Sequence, residues 1–239
     1  MESNVAELCG VVLSDLEFSH KTYGEIFYTF VLGIERRSGY IDEINIMISE
    51  RLIFDHTPRV KDFVEIKGQI RTYNEVVESR NKLHVVVFAK EIFFSENFGY
   101  NENYIYLEGF LCKSPLRRTS PMGREICDLM LAVNRAYGKS DYIPCITWGR
   151  TARFASHLKV GDKVTLLGRF QSRAYQKQLP DGTVIGKTAY EVSVGRLTMA
   201  DAAPQPAPFV IHPEETHTVE TLVQPSTPVQ VNPFTTPTT

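Results

Sequence analysis

The chain is written twice. The run "LCGVVLSDLEFSHKTYGEIFYTFVLGIERR" from Leu8 lies without a gap over "LEGFLCKSPLRRTSPMGREICDLMLAVNRA" from Leu107. Gly10 and Gly24 then fall on Gly109 and Gly123, and Arg36 falls on Arg135. After one inserted residue "VKDFVEIKGQI" falls on "VGDKVTLLGRF", and Gly68 on Gly168. Self-similarity at a fixed offset means one structural unit used twice, here about 95 residues long and repeated at an offset of about 100. Whatever the first copy folds into, the second must fold into as well. The expected division is a first domain over 1–95, a linker over 96–102 marked by "SENFGYNEN" and Gly99, a second domain over 103–199, and a tail over 200–239.

Within the second copy, apolar residues recur at every second position, the period of a half-buried strand. Cys127, Leu129, Leu131 and Val133 alternate along "CDLMLAVNR". Val164, Leu166 and Phe170 do so along "KVTLLGRFQSR", and Tyr190, Val192 and Val194 along "AYEVSV". "NYIYLEGFLC" and "DYIPCITW" supply the first and third strands, and "TARFASHL" reads as a short helix after the third. Gly109 and Gly168 lie inside strands, where glycine marks a bulge or a tight bend. The expected fold is all-β: two tandem OB-fold barrels, five-stranded Greek keys, each with a short helix between strands 3 and 4. The first copy supports the same pattern and ends in "KLHVVVFAKEIFF". Beyond residue 200, "AAPQPAPF" and "QPSTPVQVNPFTTPTT" cannot bury enough apolar surface to offset their ordering entropy, so a disordered Pro- and Thr-rich tail is expected.

Several function classes find no support. No apolar run approaches the roughly 18 residues that span a bilayer, and the start "MESNVAEL" lacks the basic and apolar regions of a secretory signal, which points to the cytoplasm and away from membranes. The four cysteines form no CxxC pair, and three fall in apolar alternations where a thiol acts as a small core residue. The six histidines show no metal-ligand spacing, and there is neither a Gly-rich phosphate loop nor a GxSxG elbow. No enzyme activity, metal or cofactor is expected. A nuclease on an OB-like scaffold would need a carboxylate or histidine cluster that the sequence lacks.

The formal net charge of −2 hides a strong division. Residues 1–102 carry 11 Lys and Arg against 17 Asp and Glu, residues 103–199 carry 15 against 7, and residues 200–239 carry none against 4. One basic domain lies between two acidic segments, and a localised positive field attracts a polyanion. Aromatic and basic residues interleave within that domain. Arg169, Gln171 and Arg173 occupy the face of the fourth strand opposite its apolar set, and Tyr175 and Lys177 continue the phase. On the third strand Tyr142 and Trp148 share one face while Ile143, Cys145 and Thr147 share the other, which should pack inward. Arg135, Tyr137 and Arg150 flank these strands. A stripe of cations can follow phosphates, and an aromatic ring can stack on a base.

These segments together resemble a family. "GFLCKSPLRRTSPMGREICDLMLAVNR", "DYIPCITWGRTA", "LKVGDKVTLLGRFQSRAYQK" and "AYEVSV" are similar to the bacterial single-stranded DNA-binding proteins over essentially all of 103–199. The resemblance implies an OB barrel whose stacking aromatics correspond to Tyr137, Tyr142, Trp148 and Tyr175. It implies single-stranded DNA as the partner, bound with little sequence preference during replication, recombination and repair. It further implies a homo-oligomer, here a dimer presenting four barrels. The first copy is acidic and has Ser49 where the second has Trp148, leaving Arg36, Tyr40, Arg71 and Tyr73 as weaker candidates. Family tails end in an acidic tip finishing in Pro-Phe that recruits replication and repair proteins, whereas "VNPFTTPTT" has Pro233 and Phe234 without adjacent acids. The alternative function is a replisome or primosome scaffold whose barrels mainly bind proteins, which the acidic first copy and the Pro-rich tail favour.

Overall fold

A computed structural model of the chain describes residues 2–77, 80–95, 102–120, 122–178 and 182–200. The expected linker, apart from Glu102, and the expected tail, apart from Ala200, lie outside the described residues.

Where apolar residues alternate, strands form and close on themselves. In the first copy β1 (Asn4–Val12) pairs with both β3 (Glu25–Glu35) and β5 (Phe63–Val77). β3 pairs with β4 (Ile41–Ser49), β4 runs parallel to β6 (Arg80–Phe94), and β6 pairs with β5, completing a ring of five strands. The second copy repeats this ring with β7 (Asn103–Leu111), β9 (Glu125–Asn134), β10 (Ser140–Trp148), β11 (Lys163–Gln178) and β12 (Val184–Met199). Two further strands exceed the expected five per copy: β2 (Glu17–Thr22) on β3 and β8 (Leu116–Thr119) on β9. Both are polar and largely exposed, so no alternation announces them. They form because Gly24 and Gly123, at φ of 81° and 75°, turn the chain back onto its neighbour.

The expected helix after the third strand is present in the second copy as α1 (Gly149–Ala155). The first copy departs from expectation: Ser49 caps a single 3-10 turn over Glu50–Ile53 by accepting from the Arg51 N–H, and no α-helix follows. Pro58, close behind, removes a donor and biases its predecessor away from helix.

The matched glycines mark contacts too close for any side chain. A Cβ at Gly68 would sit 2.2 Å from the Phe88 carbonyl oxygen, and one at Gly168 2.4 Å from that of Ser193. The register shifts by one residue at both, between Lys67 and Gly68 and between Leu167 and Gly168. These are the bulges that bend β5 and β11 around their barrels.

The two rings share a seam. β1 and β7 pair antiparallel from Asn4↔Leu107 to Leu8↔Asn103, joining all twelve strands into one sheet and both interiors into one apolar core. Ala6 and Ile105, equivalent positions in the repeat, face each other, so an approximate two-fold relation runs through the seam. Asn4 clamps the Ile70 backbone with two hydrogen bonds of 2.7 and 2.9 Å, and its counterpart Asn103 clamps Phe170 with two of 2.7 Å. Cys9, Cys127 and Cys145 are buried free thiols, and burial pushes the Cys145 thiol well up.

Polar cross-links reinforce the seam on each side. Asp42 takes a bidentate contact from Arg36 (2.7 and 2.6 Å) and accepts the Ser172 N–H at 2.8 Å, while Ser172 Oγ accepts the Glu43 N–H. In the related half, Asp141 holds Arg135 through two nitrogens of one guanidinium edge, Nε and Nη2, and Arg71 at 3.1 Å. It accepts the Thr72 N–H at 2.5 Å, and Thr72 Oγ1 accepts the Tyr142 N–H. Both carboxylates are buried, and each is satisfied by donors from both barrels, as a charge removed from water must be.

Candidate nucleic-acid interface

The outer face of β10 carries its aromatics into solvent because the opposite face is committed to the core. Ile143, Cys145 and Thr147 are buried, while Tyr142 and Trp148 are 49% and 37% exposed. Ile146 breaks the alternation: it is buried although it lies on the outer side. Trp148 ends the strand, and Gly149, at φ 54°, turns the chain at once into α1. The indole donates its N–H to Ser193 Oγ at 3.2 Å, which fixes the ring against β12 and leaves it half-exposed. Six residues at about 3.3 Å each place Tyr142 roughly 20 Å from Trp148, too far apart for one base to touch both rings.

Trp148 stands between two clefts. The larger, of about 730 Å³, includes Arg169, Arg173 and Gly168 from β11 and Ser193 from β12. The second, about 520 Å³, is lined by Gly123, Arg124, Glu125, Gly149 and Arg153. Arg124 lines both and was not singled out from the sequence. Its signal was the "GRE" turn of the basic domain, where Gly123 lifts the following residue to the mouth of the groove.

The β11 stripe is more organised than a row of free cations. Gln171 is buried and donates to Glu191 Oε1 at 2.9 Å, while Arg169 reaches Gln171 Oε1 at 3.4 Å. Arg173 contacts the same Glu191 oxygen at 3.4 Å, with its guanidinium carbon 5.7 Å from the Tyr175 ring centroid. Glu191, opposite Gln171 in the register, thus holds the middle of the stripe. The apolar alternation of β12 gives no sign of this carboxylate amid the cationic stripe. Burial lowers the Arg169 pKa, and the Arg36 charge lowers it further, while Asp42 opposes both.

The remaining candidates divide. Arg150 is exposed on the first turn of α1 and forms no ion pair among the described residues. Tyr137 lies in a 3-10 turn over Ala136–Gly138, and Lys177 pairs with Ile185 at the far end of the β11–β12 hairpin; their side chains lie outside the described residues. Arg135 and Arg71 are spent on Asp141, and Arg36 on Asp42. Tyr40 is 45% exposed with the Arg36 guanidinium carbon 4.6 Å from its centroid, and both line the larger cleft beside Trp148. Tyr73 packs against the buried cluster Phe27, Met47 and Val86 and stacks on His84 at 4.8 Å; burial, and then Glu75, push its hydroxyl pKa up. Among the described residues no three His, Cys, Asp or Glu gather into a metal site, and no helix is long and apolar enough to cross a membrane.

Residues 102–200 match the single-strand binding protein family. "Single-stranded DNA-binding protein A" of Bacillus subtilis (strain 168) is 38% identical over 77 residues, covering 29% of this chain and 45% of that protein. "Single-stranded DNA-binding protein 1" of Staphylococcus aureus (strain COL) is 35% identical over 77 residues, covering 29% and 46%. The chain thus spans less than half the length of the curated relatives it matches. The fold has a counterpart in the wild-type single-stranded DNA-binding protein from Thermus aquaticus. Its crystal structure aligns with a TM-score of 0.67 at 20% identity over 85% of this chain and 96% of that one.

Proposed function

We propose that the chain binds single-stranded DNA with little sequence preference, coating it during replication, recombination and repair, a reading supported by the match of residues 102–200 to the single-strand binding protein family. The observation that carries this is the half-exposed Trp148 at the junction of two clefts bearing Arg124, Arg169 and Arg173. Guanidiniums draw phosphates by charge alone, and a ring offers every base the same π-face, so the arrangement gives affinity without reading sequence.

In this reading both rings are OB folds, divided at 1–95, 96–102 and 103–199 with a tail beyond, and they act by binding rather than catalysis. The working unit is a homo-oligomer, a dimer presenting four barrels, in the cytoplasm on the nucleoid. The tail, with Pro233 and Phe234, is the place to seek replication or repair partners.

Trp148 is the sole tryptophan, so its fluorescence reports on one site. Titration with a dT oligomer of about 35 nucleotides should quench it strongly and in a salt-dependent way, while a duplex of equal length should not. Absence of both quenching and salt-sensitive binding would sink the proposal and leave the protein-binding scaffold in its place.

A further inference from the structure

The two copies are related by an approximate two-fold through the seam, so every groove feature of one has a definable counterpart in the other. The counterpart of the Trp148 groove has been filled. Trp148 corresponds to Ser49, whose hydroxyl donates to Glu25, and Glu25 stands where the second copy has Arg124. Arg169 and Arg173 correspond to Gln69 and Tyr73, and Ser193, opposite Arg169 in the register, corresponds to Phe88, opposite Gln69. Phe27, Met47 and Val86 are buried there beneath Tyr73 and Phe88, with Phe27 and Phe88 5.7 Å apart. The first barrel has turned this face into a second apolar core.

The groove at Trp148 is not the property of one barrel. Tyr40 and Arg36, from the turn between β3 and β4, line the cleft that Trp148, Arg169 and Arg173 line from the other side. Arg36 is clamped by Asp42 and donates to the Ser172 carbonyl at 3.4 Å, which anchors the first barrel's turn to the second barrel's strand. The turn is closed by Arg36 N–H to Tyr40 O and Gly39 N–H to Arg36 O, both 2.8 Å, with Gly39 at φ 79°. Tyr40 is therefore a half-exposed ring on a closed turn, with the clamped Arg36 guanidinium carbon 4.6 Å from its centroid, which lowers the freedom lost when it stacks.

Resting on the proposed binding of single-stranded DNA, we infer that the chain presents one such site rather than two, built across the joint. The strand passes from the Trp148 platform over Arg169 and Arg173 to the first barrel, where Tyr40 stacks on a base that the second barrel alone does not reach. The related position, Lys139 in the second barrel, carries no ring and takes no part.

The test uses the full chain and two oligomers, one of about 5 and one of about 15 nucleotides of dT, with Trp148 quenching as the signal. Tyr40→Ala should weaken binding of the longer oligomer about fivefold or more while leaving the shorter one unchanged. Tyr40→Phe should restore it, which shows that the ring and not the fold was lost. Lys139→Ala should bind both oligomers like the wild type, and the shorter oligomer should saturate at one per chain. Equal binding of the longer oligomer by wild type and Tyr40→Ala overturns the inference, as does a stoichiometry of two per chain. In either case the wild-type quenching leaves the DNA-binding proposal standing. A wild-type protein that quenches with neither oligomer overturns that proposal and the inference with it.

Discussion

Asp141, wholly buried in the second barrel, accepts the backbone N–H of Thr72 in the first at 2.5 Å, and Thr72 returns the contact by accepting the Tyr142 N–H on its hydroxyl. The same carboxylate neutralises Arg135 and Arg71.

Asp141→Ala should therefore be costly, because it leaves two guanidiniums and a buried N–H without their acceptor. Removing one partner of a buried ionic network costs about 3 kcal/mol or more. A lowered urea midpoint measures it, and Asp42→Ala, which releases Arg36 and the Ser172 N–H, should cost a similar amount.

Trp148→Ala should act on binding and spare the fold. The ring is 37% exposed and holds one hydrogen bond, whereas base stacking is worth about 1 to 3 kcal/mol, so affinity for single-stranded DNA should fall roughly tenfold or more. Anisotropy of a labelled oligomer measures this, and an unchanged affinity in a folded variant would remove Trp148 from the interface.

The salt dependence separates the arginines. Each lost phosphate contact should lower the slope of log K against log salt by about 0.7 for single strands. Arg169→Ala should show that full change, since Arg169 forms no ion pair among the described residues. Arg173→Ala should show less, because Glu191 already engages Arg173.

Gly168→Ala tests the barrel geometry. Its Cβ would meet the Ser193 carbonyl at 2.4 Å, a backbone contact that cannot swing away, and an overpacking cost of about 1 to 3 kcal/mol should appear in thermal unfolding.

Acid should weaken the first barrel through His84. Burial is the main cause that lowers its pKa, and Lys82 adds to it, while the hydrogen bond to Glu75 at 2.7 Å opposes. The unfolded chain then binds a proton near 6.5 that the folded chain refuses, so this contribution is complete above that pH and is lost as pH falls below it. The urea midpoint should drop between neutral pH and about 5, and less steeply in His84→Phe, which keeps a ring against Tyr73.

Much of this was open to inspection in the sequence, for reasons that are local. Period-two alternation set β9, β10 and β11, and the inward set Ile143, Cys145 and Thr147 implied the outward Tyr142 and Trp148. Nothing local announces β2 or β8, whose polar residues follow their neighbours rather than a core. The arginines were harder. Arg36 and Arg135 each stand six residues before an aspartate, but that the pairs would grip the opposite barrel depends on the seam, which no strand encodes alone. Tyr40 likewise sits in the acidic copy and lines the cleft of the basic one.

The β1–β7 seam has one more effect. Two identical chains pairing through such a strand would carry every substitution on both sides of their axis, so a residue that helps one face must be tolerated on its twin. Here both sides belong to one polypeptide, and a change is made once. The halves are free to become unequal partners without losing each other, and a tryptophan can be kept at position 148 while position 49 stays a serine.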